Sequence, residues 1–136
     1  MILHKKLKSI NILLLLINIF TITFCYLAYK TSVAERLIAI DSKKATHEYS
    51  FDQVDKMFTG FPNISSSSLP VDIWKVQYSL WDNDIDRANK YISSAVQANP
   101  HTFTGEFLKA QIFQALGQID SAFYYSKRAF EGWPKN

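Results

Sequence analysis

The sequence predicts an all-α protein in which one transmembrane helix is followed by a short solenoid of helical hairpins. A run of twenty uncharged, mostly apolar residues occupies positions 10–29. The second half of the chain repeats its own pattern with a period of 34 residues. Apolar residues elsewhere recur at helical spacing, and the repeats lack the period-two alternation that indicates a strand. These three observations predict helices and no sheet.

The apolar run is long enough to cross a bilayer, because twenty helical residues rise about 30 Å. Lys5, Lys6 and Lys8 precede it, so residues 1–9 are predicted to be a cytoplasmic basic flank and residues 31–136 to lie outside. In a bacterium, this places the anchor in the inner membrane and the module in the periplasm. From residue 30 onward, twelve Lys and Arg balance twelve Asp and Glu. The module therefore lacks the clustered basic charge that nucleic-acid binding requires.

A cleaved signal peptide is the alternative interpretation of this N-terminus, because Ser32, Val33 and Ala34 fit a cleavage site. The apolar core of a signal peptide spans about 7–15 residues, whereas this run is longer and ends in Tyr29. The pattern favours an uncleaved anchor, and a secreted binding domain remains open. Cys25 is the single cysteine, which excludes an internal disulfide and a cysteine-based zinc site.

Residues 30–62 are predicted to be a helical connector. Apolar residues fall at helical spacing on both sides of a break expected near residues 41–44, and the second helix is expected to end at about Thr59, before Gly60. The connector also fits a partial repeat. In that register Pro62 would be the terminal proline, Ser50 would occupy a small packing position, and the packing face would include Val54 and Phe58.

A polar, serine-rich linker is predicted at residues 63–70, with Pro70 as the first residue of the next helix. The two repeat copies then occupy residues 69–102 and 103–136. Each copy is predicted to form two helices, over 71–81 and 84–98 in the first and over 104–116 and 119–131 in the second. Asn83 and Gly117 lie between the paired helices, where a left-handed backbone is expected. Asp84 is expected to cap the helix that follows it.

The repeat is defined by eight identical pairs, each separated by 34 residues. They are Lys75 and Lys109, Gln77 and Gln111, Ile85 and Ile119, Asp86 and Asp120, Ala88 and Ala122, Tyr91 and Tyr125, Ala95 and Ala129, and Pro100 and Pro134. Two alanines seven residues apart lie on one face of a helix, where small side chains let a second helix approach closely. The copies therefore predict closely packed helical hairpins.

These positions resemble the tetratricopeptide repeat, a 34-residue helix–turn–helix unit. The resemblance assigns the packing positions to Ala88, Ala95, Ala110, Gly117, Ala122, Ala129, Pro100 and Pro134, with Phe113 at the aromatic eleventh position. The copies depart from the family at position four, which holds Asp72 or Glu106, and at position seven, which holds Lys75 or Lys109. These departures concern the packing of the first helix in each copy.

The resemblance also implies a concave groove lined by the first helix of each repeat. The groove positions carry over as Ile73, Gln77, Leu80, Trp81, Phe107, Gln111 and Gln114. Aromatic and aliphatic groups with a few amides suit a protein or peptide partner. Basic residues that clamp a C-terminal carboxylate in chaperone-binding relatives are missing from these positions, so that class of partner is disfavoured. Ile73, Leu80 and Phe107 could equally serve in packing between helices.

No catalytic, cofactor or metal motif is found in the sequence. The three histidines, at positions 4, 47 and 101, are scattered, and no phosphate loop, nucleophile elbow or HExxH motif is present. Asp82, Asp84 and Asp86 resemble the start of a calcium loop, but Ser93 stands where the twelfth-position glutamate is needed. The aspartates are interpreted as a capping cluster at a helix start. An enzyme is therefore not expected.

The sequence thus predicts a non-catalytic, membrane-anchored binding or scaffolding protein. A narrower resemblance links the segments at 61–78, 98–113 and 119–134 to the periplasmic repeats of bacterial O-antigen ligase and polymerase proteins. It implies the alternative of an accessory or truncated module in surface-polysaccharide assembly. Aromatic residues in the last helix need cover. A homo-oligomer or a subunit of an envelope complex would provide it, and the alternative is that the chain is the front portion of a longer array.

Overall fold

The computed structural model describes the backbone of residues 2–132 and the side chains of residues 10–132. The predicted basic flank at 1–9 and Pro134 lie outside the described side chains. Within the described backbone there are six helices and no strand, which confirms the all-helical prediction: α1 Ile2–Lys44, α2 Phe51–Met57, α3 Asp72–Trp81, α4 Ile85–Ala98, α5 Phe103–Ala115 and α6 Ile119–Gly132.

Helix α1 contains the apolar run and is long and apolar enough to cross a membrane. None of the residues in its most apolar window is buried inside the molecule, so the run does not serve as a core helix. The polar side chains in the run bond to the helix itself: Asn18, Thr21 and Thr23 each donate to the carbonyl four residues earlier, at 2.8–2.9 Å. Such internal bonding is what a nonpolar solvent requires.

The distal end of α1 is closed by the buried carboxylate of Asp41, which is 2% exposed. Its Oδ1 accepts from the Thr46 hydroxyl at 2.6 Å and from the Glu48 amide at 3.0 Å, and its Oδ2 accepts from the Tyr78 hydroxyl. Ala45 and His47 adopt left-handed backbone angles in the turn. The break predicted at 41–44 thus falls just after Lys44, at residues 45–50.

A first hydrophobic core joins α1, α2 and α3. Its buried members are Ala34, Ile38, Phe51, Val54, Phe58, Val71, Trp74 and Tyr78. The predicted burial of Val54 and Phe58 is confirmed. The packing role predicted for Ser50 is wrong, because Ser50 is exposed and forms a capping box with Gln53 at the start of α2.

The polar stretch predicted as a linker is folded back against α1. The Glu35 carboxylate, only 7% exposed, accepts from the hydroxyls of Ser65 at 2.5 Å, of Ser67, and of Ser66 at 3.4 Å. Pro70 is not the first residue of α3, which begins at Asp72. Instead, Pro70 forms an isolated β-bridge with Ile64, because the loop closes on itself through backbone bonds before the helix starts.

Helices α3 to α6 form two helix pairs with boundaries close to those predicted. Helix α3 packs on α4, α5 packs on α6, and contacts of α4 and α3 with α5 join the pairs. Asn83 and Gly117 have positive φ angles of 58° and 71°, as predicted for the turn between paired helices. Asp84 accepts from the Arg87 amide at 2.9 Å and so caps α4, which is also confirmed.

The repeated alanines are all buried. Ala88, Ala95, Ala110, Ala122 and Ala129 are between 0% and 9% exposed. The second core contains Ala88 and Ala95 together with Ile73, Val76, Ile92, Leu108 and Ile112. Helix α5 also approaches α4 closely at a residue that the repeat pattern does not mark: a Cβ at Gly105 would lie 2.8 Å from Val96 Cγ2.

Three of the four charged departures from the repeat pattern, Asp72, Lys75 and Glu106, form ion pairs. Lys75 is 8% exposed, and its Nζ lies 2.8 Å from Asp55 and 3.4 Å from Asp72. Burial lowers the pKa of Lys75, but the two carboxylates outweigh it and leave the pKa raised. In the second copy, buried Glu106 pairs with Arg128 at 3.3 Å. The first helix of each copy therefore packs despite its charges.

Candidate functional site

An open cavity of roughly 630 Å³ lies between the first helices of the two copies. Helix α3 forms one wall, helix α5 forms the other, and the α3–α4 turn forms one end. Eleven residues line it: Gln77, Leu80, Trp81, Asn83, Ile85, Thr104, Phe107, Leu108, Gln111, Gln114 and Ala115. We call this surface the α3–α5 groove. Its volume falls in the range of ordinary ligand-binding clefts, about 300–1,000 Å³.

The structure brings six of the seven predicted groove residues to this cavity. Gln77, Leu80 and Trp81 come from α3, and Phe107, Gln111 and Gln114 come from α5. They meet because residues three and four apart share one face of a helix.

Ile73 is the exception among the predicted groove residues. It is 1% exposed and belongs to the second core, so it contacts neighbouring helices and not the groove. Ile73 therefore serves in packing between helices, which was the alternative role given above. It lies one turn of α3 before Gln77.

Two aromatic side chains provide the main apolar surface of the groove. Phe107 is 46% exposed, and Trp81 is half-buried. The His47 ring stacks on the Trp81 indole with centroids 3.9 Å apart, and the Tyr78 ring meets the same indole edge-on at 4.6 Å. Trp81 is therefore held in place by packing on two sides, which favours a preformed contact surface.

The groove is electrically neutral and carries several amides. None of its eleven lining residues is charged. The Gln77 amide nitrogen donates to the Ser42 hydroxyl at 2.8 Å, which ties one groove residue to the end of α1. Gln111 and Gln114 are exposed and can each donate and accept hydrogen bonds. A neutral groove with free amides suits uncharged polar groups such as peptide bonds.

Sequence reasoning missed several residues at this site. Asn83, Ile85, Thr104 and Leu108 line the cavity but lie outside the groove positions of the repeat pattern. His47 and Ser42 reach its rim from a segment outside both copies. No periodic signal marks Ser42 and His47. Their proximity depends on how α1 packs against α3.

The aspartate cluster next to the groove acts as a cap and an ion pair. Asp82 accepts from Arg87 Nη2 at 2.6 Å, and Asp84 accepts from the Arg87 backbone. The Arg87 guanidinium also lies over the Phe51 ring, 3.9 Å from its centroid. Throughout the residues that the structure describes, no three His, Cys, Asp or Glu side chains are grouped as metal ligands would be.

Comparison of the chain with the known protein families, with curated proteins and with solved structures finds no match.

Proposed function

We propose that this chain is a single-pass membrane protein whose helical module binds an uncharged segment of a protein partner in the α3–α5 groove. The observation that carries the proposal is the convergence of Gln77, Leu80, Trp81, Phe107, Gln111 and Gln114 on one open cavity. The resemblance to the tetratricopeptide repeat selects those positions from spacing alone. Their meeting in space supports a groove of that type.

The chemistry of the groove restricts the partner. Trp81 and Phe107 offer apolar faces, and the exposed amides offer hydrogen bonds without charge. An extended peptide with aliphatic or aromatic side chains matches both features, since its backbone needs donors and acceptors at regular intervals. A free C-terminal carboxylate would meet no cation among the lining residues. We therefore propose an internal segment of the partner as the occupant.

The membrane anchor in this proposal is supported by how the module uses α1. Thr31 is 2% exposed and Ala34 is 4% exposed, and Ala34 belongs to the first core. Cleavage after Ala34 would remove both residues from the folded module. Helix α1 packs against the module on both sides of the possible cleavage site at residues 32–34. This packing favours an uncleaved chain with residues 10–29 in the membrane. The basic flank favours a cytoplasmic N-terminus.

The binding proposal is tested by photocrosslinking on the full chain in intact membranes. A photoreactive phenylalanine analogue replaces Trp81 or Phe107 in the groove, or Phe123 on α6 as the control. Phe123 is 72% exposed but lies outside the groove. We expect one protein adduct shared by both groove positions and absent from position 123. Equal labelling at all three positions would contradict a groove-specific partner.

A second measurement uses the segment of the partner that crosslinking identifies. Binding of that peptide to the detergent-solubilised full chain should weaken about tenfold or more in Phe107→Ala, because a central aromatic anchor contributes more than about 1.4 kcal/mol. Phe123→Ala is the matched control and should bind like the parent. Unchanged affinity in Phe107→Ala would contradict binding in the α3–α5 groove.

The anchor is tested separately by the mass of the chain recovered from membranes. The 136 residues of the uncleaved chain have a mass of 15.7 kDa. A shorter chain that begins near Glu35 would support the secreted form and contradict the anchor.

A further inference from the structure

The loop before α3 is a long uncharged stretch outside the apolar run. Residues 57–71, fifteen in all, include no Asp, Glu, Lys or Arg. Charged residues flank the stretch directly, at Lys56 and Asp72. We call residues 57–71 the uncharged loop.

The middle of the uncharged loop is hydrogen-bonded to α1 at Glu35. Ser65 and Ser67 bond to the buried Glu35 carboxylate. The residues before Ser65 lie closer to the apolar run. Pro62 and Ile64 share a crevice of roughly 180 Å³ with Phe24 and Ala28. Phe24 precedes Glu35 by eleven residues, about 16 Å along a helix. The loop therefore reaches down the side of α1.

Phe61 lies where the uncharged loop meets the apolar run, and it is 51% exposed. Its ring meets the Phe24 ring edge-on, with centroids 5.8 Å apart, and Phe24 stacks on Phe20 with centroids 6.5 Å apart. Phe20 is 67% exposed, so the three rings form an apolar column open on its outer side. Without a membrane, this column would be a contiguous apolar patch in water.

The depth of Phe61 relative to the apolar run follows from these distances. Phe24 precedes Tyr29, the last residue of the run, by five residues, which is about 7.5 Å along the helix. The Phe24 side chain also points toward the N-terminus of α1, as helical side chains do. Because the two ring centroids are 5.8 Å apart, the Phe61 ring cannot rise above the level of Tyr29. Phe61 thus lies at the depth of the apolar run.

We infer that the uncharged loop is a second membrane contact, in which Phe61 enters the lipid beside α1 at the boundary between hydrocarbon and headgroups. This inference rests on the proposed membrane span and goes beyond it, because it gives the module a fixed position against the bilayer. An aromatic ring flanked by uncharged polar residues suits that boundary. The absence of cations in the loop identifies the ligand as the neutral bilayer interface, without selection for anionic lipids.

The experiment places an environment-sensitive fluorophore at position 61 of the full chain reconstituted into lipid vesicles. Phe61→Cys is labelled in a Cys25→Ser background, and Phe123→Cys in the same background is the matched control. The parent chain labelled at Cys25 reports on the span itself. Quenching is measured with lipids that carry a nitroxide near the headgroup, in vesicles of neutral phosphatidylcholine and in vesicles that also contain anionic phosphatidylglycerol. Helical ellipticity verifies that each variant folds.

We expect a blue-shifted, strongly quenched probe at position 61 in both lipid mixtures and a water-exposed, unquenched probe at position 123. A quenched probe at Cys25 with an unquenched probe at position 61 would overturn the loop contact and leave the span intact. An unquenched probe at Cys25 would overturn the span and the inference together. Quenching at 61 in anionic vesicles alone, or equal quenching at 61 and 123, would also overturn it.

If Phe61→Cys does not fold, Asn63→Cys serves as the second labelled position. Asn63 is exposed and lies in the same loop, two residues from Phe61. The expected result is again quenching in both lipid mixtures, and a water-exposed spectrum at position 63 would contradict the inference.

Discussion

Helices α3 and α6 belong to opposite ends of the packed module and differ in how many of their sides are covered. Six of the ten residues of α3 are buried, because α1 and α2 cover one side and α4 and α5 cover the other. In α6 only Ala122 and Ala129 are buried. Ile119, Phe123 and Phe130 are 66%, 72% and 84% exposed.

The difference shows what a neighbouring helix pair contributes. The three exposed residues of α6 fall at i, i+4 and i+11, which places them on one helix face. The corresponding residues of the first copy include Ile85 and Val96 on α4, and these face α5 of the second pair: Ile85 lines the α3–α5 groove, and Val96 lies against Gly105. The second pair thus covers this side of the first pair, and the connector covers the side formed by α3. Among the described residues, no element covers the matching face of α6.

The largest expected effect comes from removing the same side-chain atoms at the two ends. Ile73→Ala empties a site that is 1% exposed and should lower the free energy of unfolding by about 2–5 kcal/mol. Ile119→Ala, the matched control at 66% exposure, should change it by at most about 0.5 kcal/mol. Urea unfolding of the full chain in detergent, followed by ellipticity, gives both values. Similar losses in the two variants would contradict the comparison.

Substitution of Asp41 tests the contact between α1 and the repeats. Burial raises the pKa of Asp41, but hydrogen bonds from the Glu48 amide, Thr46 and Tyr78 outweigh it and lower the pKa below 3.8. Asp41→Asn weakens these bonds to the charged carboxylate and should cost about 1.5–3 kcal/mol at neutral pH.

The same shift sets the pH dependence of that contribution. Because the folded pKa is below 3.8, the unfolded chain binds the proton first, so the contribution is complete above about pH 4 and is lost as the pH falls through the folded pKa. The stability difference between the parent and Asp41→Asn should therefore shrink below pH 3.8. A difference that stays constant from pH 7 to pH 3 would show that the charge does not matter.

The repeated alanines should respond to added volume by a smaller amount. Ala122→Leu inserts three carbons where α6 packs on α5 and should cost about 1–3 kcal/mol. Ser126→Leu places the same side chain at an exposed position of α6 and is the control. If Ala122→Leu unfolds at the same urea concentration as the parent, close helix packing at Ala122 is not required.

The smallest effect is expected at the exposed ion pair of α6. Lys127 and Glu131 are 3.7 Å apart, and both side chains are 61% exposed. Lys127→Ala should change stability by about 0.5 kcal/mol or less. Lys75→Ala, in contrast, leaves Asp55 and Asp72 facing each other near a buried site and should destabilise the module more. Equal effects of the two substitutions would mean that burial does not distinguish these pairs.

Most of the helices and most of the groove could be predicted because they follow local or periodic signals. The turn residues Asn83 and Gly117, the cap at Asp84 and the buried alanines each depend on neighbours within a few residues or on the 34-residue period. Ile73 was misplaced because the groove positions came from the family pattern, and that pattern does not show which way α3 rotates in its own core.

The role of Ser50 and the start of α3 were also wrong in the sequence interpretation. The small-position assignment for Ser50 assumed a regular partial repeat, but a serine followed by Gln53 at the third helical position satisfies the helix terminus better as a cap. Pro70 fits a helix start by type, yet the loop bond between the Val71 amide and the Asn63 carbonyl holds it outside the helix.

The amino-acid sequence alone predicted the apolar run, the repeat and the paired helices, because each depends on residue type and on regular spacing along the chain. The folded molecule was needed to show that α1 and the uncharged loop complete the module. Glu35 with Ser65, Asp41 with Tyr78, and Ser42 with Gln77 are thirty or more residues apart along the chain. Such contacts have no periodic signature, since they arise only when separate helices pack and the polar groups between them must find partners.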